Sequence, residues 1–362
     1  MKFIIVFLSV IGFVCKGIAD VANPIGLVLS GGGAKGAYHV GVWKALCEMG
    51  IDEEITVISG TSVGAIVASV FASVHDPYQC EDLWRRISQC AFTANLTSIA
   101  KEFDKSIAQA NASMDGVMSK RSEKVKAFEF VHNRKPSMNE LAKIDADLEK
   151  ECRIELGQYM CGELARRFLD ATEGNATSVG VCDSQLLRGE LCKALPSRWI
   201  SAAPQVYATA LEKSTGKLKA FALTGISRED VVEKILASAA IPGVFDSVTI
   251  DGVAYIDGGF EPRGGDNLPI YPILYSSHKV KTIIIVSLGG RKELPEELTI
   301  HNKIKYVWIT PSEGINGCFG SLSGIFDISE EKTTRLLDLG YKDAKCALAN
   351  QMFRVRPTPI CK

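Results

Sequence analysis

Residues 55–73, ITVISGTSVGAIVASVFAS, constrain the fold of this chain more than any other stretch. Ile55 to Ser59 is a run of apolar and β-branched residues, the pattern of a short buried strand. Gly60-Thr61-Ser62-Val63-Gly64 follows, and Ala65 to Ala72 continues with small and apolar residues at helical spacing. Strand, G-x-S-x-G and helix in that order read as a nucleophile elbow, a serine held on a sharp strand-to-helix turn. The backbone crowds at such a turn, so Gly60 and Gly64 stand where side chains would not fit. A helix beginning at Ser62 aims its free N–H groups and its positive dipole end at an oxyanion formed there. A plain glycine-rich turn would share the string without the flanking elements.

A second glycine unit comes earlier. Ile25 to Ser30 reads as a buried strand, Gly31-Gly32-Gly33-Ala34-Lys35-Gly36 as a loop, and Ala37 to Met49 as a helix closed by Gly50. Two readings of this loop are open. Gly31, Gly33 and Gly36 satisfy G-x-G-x-x-G for a dinucleotide, with Asp52, Glu53 and Glu54 near the distance of a ribose-binding acid. That acid should end a second strand, however, and here it precedes one. Alternatively, consecutive glycines turn successive N–H groups toward one point, as an oxyanion hole requires. Parallel strand–helix units put both loops at the carboxyl edge of one sheet, which favours the second reading.

The 362 residues, 46% of them hydrophobic, suffice for one large core or a core with a small subdomain. Basic and acidic residues balance at 41 and 42, which leaves no cationic excess for nucleic acid. Nothing in the sequence points to a protein partner. Met1-Lys2, the apolar run Phe3 to Val14 and the small-x-small site Gly17-Ile18-Ala19 read as a signal peptide over 1–19. A secreted or periplasmic location follows. Without Cys15 ten cysteines remain, an even number suited to an oxidising compartment. Cys80/Cys90, Cys152/Cys161 and Cys182/Cys192 are the candidates for disulfides, with connectivity open, and Cys47 reads as a buried thiol on a helix. No C-x-x-C, His/Cys cluster or D-x-D-x-D-G loop occurs, so no metal or other cofactor is expected.

From about 76 to 195 the regular alternation breaks, charged runs dominate, and Asn95, Asn111 and Asn175 head N-x-S/T sequons. Residues of about 91–195 read as a mostly helical insertion over the site. Order returns with strands over Trp199–Ala210 and Leu218–Leu223, a helix over Glu229–Ala240, and a short strand, Val253–Ile256, that delivers Asp257-Gly258-Gly259. Val280–Leu288 is a continuous apolar strand, and Glu330–Ala349 an amphipathic helix broken by Gly340. Ser62 needs a base. His278 and His301 stand in the chain order of a Ser-Asp-His triad, although neither follows a strand end as Asp257 does. A Ser–Asp pair needs no histidine if burial or hydrogen bonding brings the carboxylate into a useful range.

Gly31 to Gly36, the Gly60–Gly64 elbow and Asp257-Gly258-Gly259, in that order, resemble the patatin-like phospholipases. Ala237 to Phe245, Asn267 to Ile270, and the segments Phe326–Ser329 and Leu339–Ala344 are also similar to that family. The resemblance covers about 25–90 and 200–350, and the insertion departs from it. It implies an α/β fold, a three-layer α/β/α arrangement around a mostly parallel sheet, with the family domain over 25–272 and a strand and helices over 273–362 completing it. It further implies a lipid acyl hydrolase for membrane phospholipids or lysophospholipids. Ser62 would be the nucleophile, Asp257 the base, and the Gly31, Gly32 and Gly33 N–H groups the oxyanion hole. Lys35 matches a basic position of the family motif and would face a phosphate or the oxyanion, the bland alternative being a stem that reaches solvent. A histidine-triad esterase, a dinucleotide-binding protein and a non-enzymatic storage or toxin-like protein are the rivals.

Overall fold

The computed structural model describes residues 23–91, parts of 122–144, 184–197, 204–289, 294, 298, 303–315 and 326–349. The expected signal peptide, the three sequons, Cys152, Cys161, Cys182 and His301 lie outside them.

Eight strands form one sheet among the described residues: β1 (Ile25–Leu29), β2 (Ile55–Thr61), β3 (Gln205–Glu212), β4 (Leu218–Ala222), β5 (Val248–Ile250), β6 (Val253–Asp257), β7 (Thr282–Val286) and β8 (Lys305–Ile309). Their order is β5-β6-β3-β2-β1-β7-β8, with β4 also paired to β3. The run β3-β2-β1-β7-β8 is parallel, and β4 and β6 lie antiparallel to β3. The sheet is therefore mixed and mostly parallel. Alternation along the strands divides the layers. Leu27, Leu29, Ile58, Ile284 and Val286 enter one core, whereas Val28, Val57, Ile283 and Ile285 enter another on the opposite face.

The first face carries α1 (Gly36–Glu48), α2 (Val63–Ser73), α3 (Pro77–Ala91), α4 (Gln185–Ala194), α5 (Arg228–Ser238) and α7 (Glu330–Ala349). The second face is thinner, covered among the described residues by the four-residue α6 (Tyr271–Leu274) with Leu268, Ile270 and Leu298.

Several expectations change. The insertion ends inside the core: α4 buries Leu187 and Leu191, Leu195 after it is buried too, and Arg188 pairs with Glu233 on α5. Gly340 does not break the last helix, since α7 runs uninterrupted through it. The glycine serves helix packing instead. A Cβ on Gly340 would stand 2.1 Å from the Tyr38 carbonyl oxygen, and one on Gly41 would stand 2.0 Å from that of Leu337. The two glycines let α1 and α7 touch backbone to backbone. Two strands, β5 and β8, were not expected. The β5–β6 hairpin had a signal in Asp251-Gly252, whose φ of 51° and 79° fit the two-residue turn that Asp-Gly favours.

The disulfide candidates are also corrected. Cys80 and Cys192 are free thiols here, so Cys80/Cys90 and Cys182/Cys192 are not bridged. Cys80 and Cys90 share the continuous helix α3. Ten residues of helix separate two Cα atoms by about 15 Å, far beyond the roughly 7 Å a disulfide spans. Cys80 is instead buried, and its thiol donates to the Val74 carbonyl at 3.0 Å. Cys47 is half-buried, with burial pushing its pKa well above the ordinary thiol value.

Candidate active site

β2 runs two residues further than the apolar pattern suggests, to Thr61, and α2 begins at Val63. Ser62 is the hinge between them, with φ 56° and ψ −126°, a backbone conformation a non-glycine residue holds only under constraint. Its glycine neighbours explain how the turn closes. A Cβ on Gly60 would lie 2.2 Å from the Gly64 carbonyl oxygen, and one on Gly64 would lie 2.1 Å from that of Leu29. The elbow therefore packs directly on the end of β1.

Sheet register brings Asp257 to it. β2 occupies one edge of β3 and stops where Thr61 pairs with Thr209. β6 takes up the same edge at the next residue, Ala210 opposite Asp257, and runs the other way. The two strands point their carboxyl ends at each other along β3, so Ser62 and Asp257 emerge at one place. Both are buried, at 6% and 5% exposure, and both line a solvent-open cleft with Gly31, Gly32, Gly33, Lys35, Gly259 and Asn267.

Asp257 Oδ1 accepts the Gly259 N–H at 2.8 Å, while Oδ2 is buried with no well-formed hydrogen bond among the described residues. Burial drives the carboxyl up to a pKa of about 6, against the opposing pull of the Ser62 hydroxyl and the Gly259 N–H. The hydroxyl is thus within reach of the carboxylate. Gly258 donates its N–H to the Ser238 carbonyl at 3.3 Å, and Gly36 opens α1.

The glycine loop lies against this pair, with one change of role. Gly31 N–H donates to Asn267 Oδ1 at 2.9 Å and is therefore committed. Gly32 and Gly33 keep N–H groups with no partner among the described residues. Asn267 thus fixes the loop, a role invisible in sequence because the bond spans two distant segments. Ser238 is the other residue not anticipated: its Oγ accepts the Ser62 N–H at 2.9 Å.

Lys35 does not extend to solvent. It is 8% exposed, lines the cleft, and is held at a pKa of about 8 by burial first and by the Lys332 charge second. A narrow apolar crevice of about 10 Å³ adjoins Ser62, between Val63 and Ile66 of α2, Leu187 of α4, and Ala239, Ile241 and Phe245.

The rival assignments separate from the site. His278 precedes β7, at the amino edge of the parallel strands, whereas Ser62 lies at their carboxyl edge. A five-residue strand puts roughly 16 Å between those edges. Asp52, Glu53 and Glu54 form a short 3₁₀ turn at the amino end of β2, on the side away from the Gly31–Gly36 loop. His39 is fully buried, with its Nε2 on the Ser30 carbonyl at 2.8 Å, and burial depresses its pKa to about 4.

Comparison with known proteins finds a family match and several partial relatives. The family model described as patatin-like phospholipase matches residues 27–273. A patatin-like phospholipase domain-containing protein of Caenorhabditis elegans is 36% identical over 96 residues, which is 24% of this chain and 7% of that protein. The lysophospholipase NTE1 of Saccharomyces cerevisiae is 33% identical over 96 residues, 24% of this chain and 6% of its own length. The matched segment is thus a small part of these relatives. Among solved structures, VipD from Legionella pneumophila overlays at a TM-score of 0.41 with 15% identity, over 91% of this chain and 67% of that one. With the family model covering more than half of its length, the chain belongs to the patatin-like phospholipases, a family of serine hydrolases.

Proposed function

We propose that this protein hydrolyses carboxylic ester bonds of phospholipids or lysophospholipids through an acyl-Ser62 intermediate. The observation that carries the reading is the head-to-head meeting of β2 and β6, which sets Ser62 and Asp257 in one cleft beside the glycine loop. In this reading Asp257 Oδ2 takes the Ser62 hydroxyl proton as Oγ attacks the ester carbonyl. The Gly32 and Gly33 N–H groups hold the resulting oxyanion. Collapse expels the lipid alcohol, which takes the proton from Asp257. A water then gives its proton to Asp257 as it attacks the acyl-serine, and collapse releases the fatty acid while Asp257 returns that proton to Ser62 Oγ. The cleft holds only about 200 Å³, less than a pocket enclosing a whole drug-sized ligand, so it suits the ester and its surroundings. The crevice lined by Ile66, Leu187 and Phe245 offers apolar surface for the start of the acyl chain.

The two limbs of one wild-type pH profile, with a Lys35 variant beside it, test the acid–base assignment. The pH profile of kcat/KM should be bell-shaped. Its acid limb should fall near pH 6, because activity needs Asp257 deprotonated and is lost as pH drops through its raised pKa. Its alkaline limb should fall near pH 8, as Lys35 loses the charge that faces the oxyanion or a substrate phosphate. Lys35→Met should abolish the alkaline limb. A profile flat from pH 5 to 7 would contradict the role of Asp257.

Histidine exchange tests the triad. His278→Gln should change kcat by less than about tenfold, below the 10²–10⁴-fold expected for losing a general base. A thousandfold loss would restore the triad. The reading also includes export through the 1–19 segment, for which N-terminal sequencing of the mature protein should find Asp20 first; an intact Met1 would refute it.

A further inference from the structure

Ser62 holds a strained backbone, and strain of this kind persists only where neighbours over-determine it. The neighbour here is the carboxyl end of α5. Ser238 is its last residue and is fully buried. Its Oγ accepts the Ser62 N–H at 2.9 Å and donates to the Thr209 carbonyl at 2.6 Å. The same residue reaches the other half of the pair through its backbone. Its carbonyl accepts the Gly258 N–H at 3.3 Å, and two residues on, the Ala240 carbonyl accepts the Asp257 N–H at 2.9 Å. Thr209 is also the residue that pairs with Thr61, at the register step where β2 gives way to β6.

We infer that Ser238 is a positioning residue that couples the nucleophile to its base. One side chain fixes the peptide of Ser62, while its own main chain fixes the peptide that follows Asp257. The pairings on β3 bring the two reacting groups together, and Ser238 ties the peptides beside them to one another. Neither group touches substrate through Ser238; the residue acts through Ser62 and Asp257. Reaction geometry is sensitive at this scale, since a displacement of about 1 Å can cost about 10²-fold in rate.

The inference rests on the proposed Ser62–Asp257 mechanism, and the test separates the two. Hydrolysis of a soluble monoacyl ester is followed for wild type, Ser62→Ala, Ser238→Ala and Ser69→Ala, across pH 5–9. Ser69 is an equally buried serine whose Oγ bonds only the Ala65 carbonyl of its own helix, so it reports the cost of a buried hydroxyl remote from the site. Ser238→Ala should lower kcat by about 10²-fold with KM within about threefold of wild type. It should also move the acid limb upward, because a displaced Ser62 hydroxyl no longer helps to hold the Asp257 pKa down. Ser69→Ala should do neither. If Ser238→Ala does not fold, Ser238→Cys keeps the volume, weakens both hydrogen bonds, and should move the same quantities in the same direction. A kcat within threefold of wild type with an unmoved acid limb overturns the role of Ser238, as does a loss that Ser69→Ala reproduces at equal melting temperature. An active Ser62→Ala overturns the underlying mechanism instead.

Discussion

Ser62→Ala should lower ester hydrolysis by about 10⁴-fold or more, and Asp257→Asn by about 10³-fold or more, with the fold of both intact. The double variant should be no worse than Ser62→Ala alone, because residues that act as one unit lose their function once. Stability should not follow activity. Asn at 257 keeps an oxygen for the Gly259 N–H and removes a carboxyl whose charged form burial disfavours, so its melting temperature should hold or rise. The sign follows from the raised pKa: the folded state holds its proton more tightly than the unfolded chain, so ionising Asp257 costs stability as pH rises toward and past about 6. Any gain from Asp257→Asn should therefore be largest above that pH. Ser62→Gly relieves a positive φ, worth roughly 1–3 kcal/mol, against about 1 kcal/mol of added chain entropy, and should melt no lower than wild type. Turnover close to wild type in Ser62→Ala or Asp257→Asn, with native circular dichroism, would sink the assignment.

Gly340→Ala should be among the most damaging methyl additions to the described residues. In the middle of an ordinary helix that exchange stabilises by about 1 kcal/mol. Here the added carbon would sit 2.1 Å from a backbone oxygen of α1, and neither helix backbone can yield locally. The buried Tyr38 hydroxyl, which donates to Asp343 at 2.9 Å, ties the same two helices together. Forcing them apart should cost at least about 3 kcal/mol, the upper end of overpacking effects. It should also reduce turnover, since α1 follows directly from the glycine loop. Thermal unfolding of Gly340→Ala and of Gly41→Ala should show large losses for both. A melting temperature at or above that of wild type in either would refute the contact.

Both predictions concern residues that the sequence exposes unequally. The Ser62 elbow is legible because strand, turn and helix are contiguous, so one window of residues contains the whole argument. Asp257 is legible only once the family resemblance is added, since D-G-G after a short strand is otherwise a turn. Gly340 illustrates what a local pattern misreads. Its effect on its own helix is weakly unfavourable, and its reason lies on a different helix at Tyr38. Asn267 and Ser238 lie in segments the family resemblance marks, but their roles do not stand out for the same cause: each acts through a hydrogen bond to a segment 236 or 176 residues away. Strand β8 was missed although Tyr306, Val307, Trp308 and Ile309 are all strand-forming types, because so short a run carries too little period to read.

The meeting of β2 and β6 on one template strand has a consequence for how such a protein can diversify. The long stretch between α3 and β3 leaves the sheet after one reacting group has been placed and returns before the other. Neither end of that stretch sets the gap between Ser62 and Asp257, which is fixed by adjacent pairings on β3 at Thr209 and Ala210. Chain inserted between α3 and α4 therefore need not alter the pairings that set the gap. The reacting pair is thus placed by the sheet, on sequence separate from that long connection.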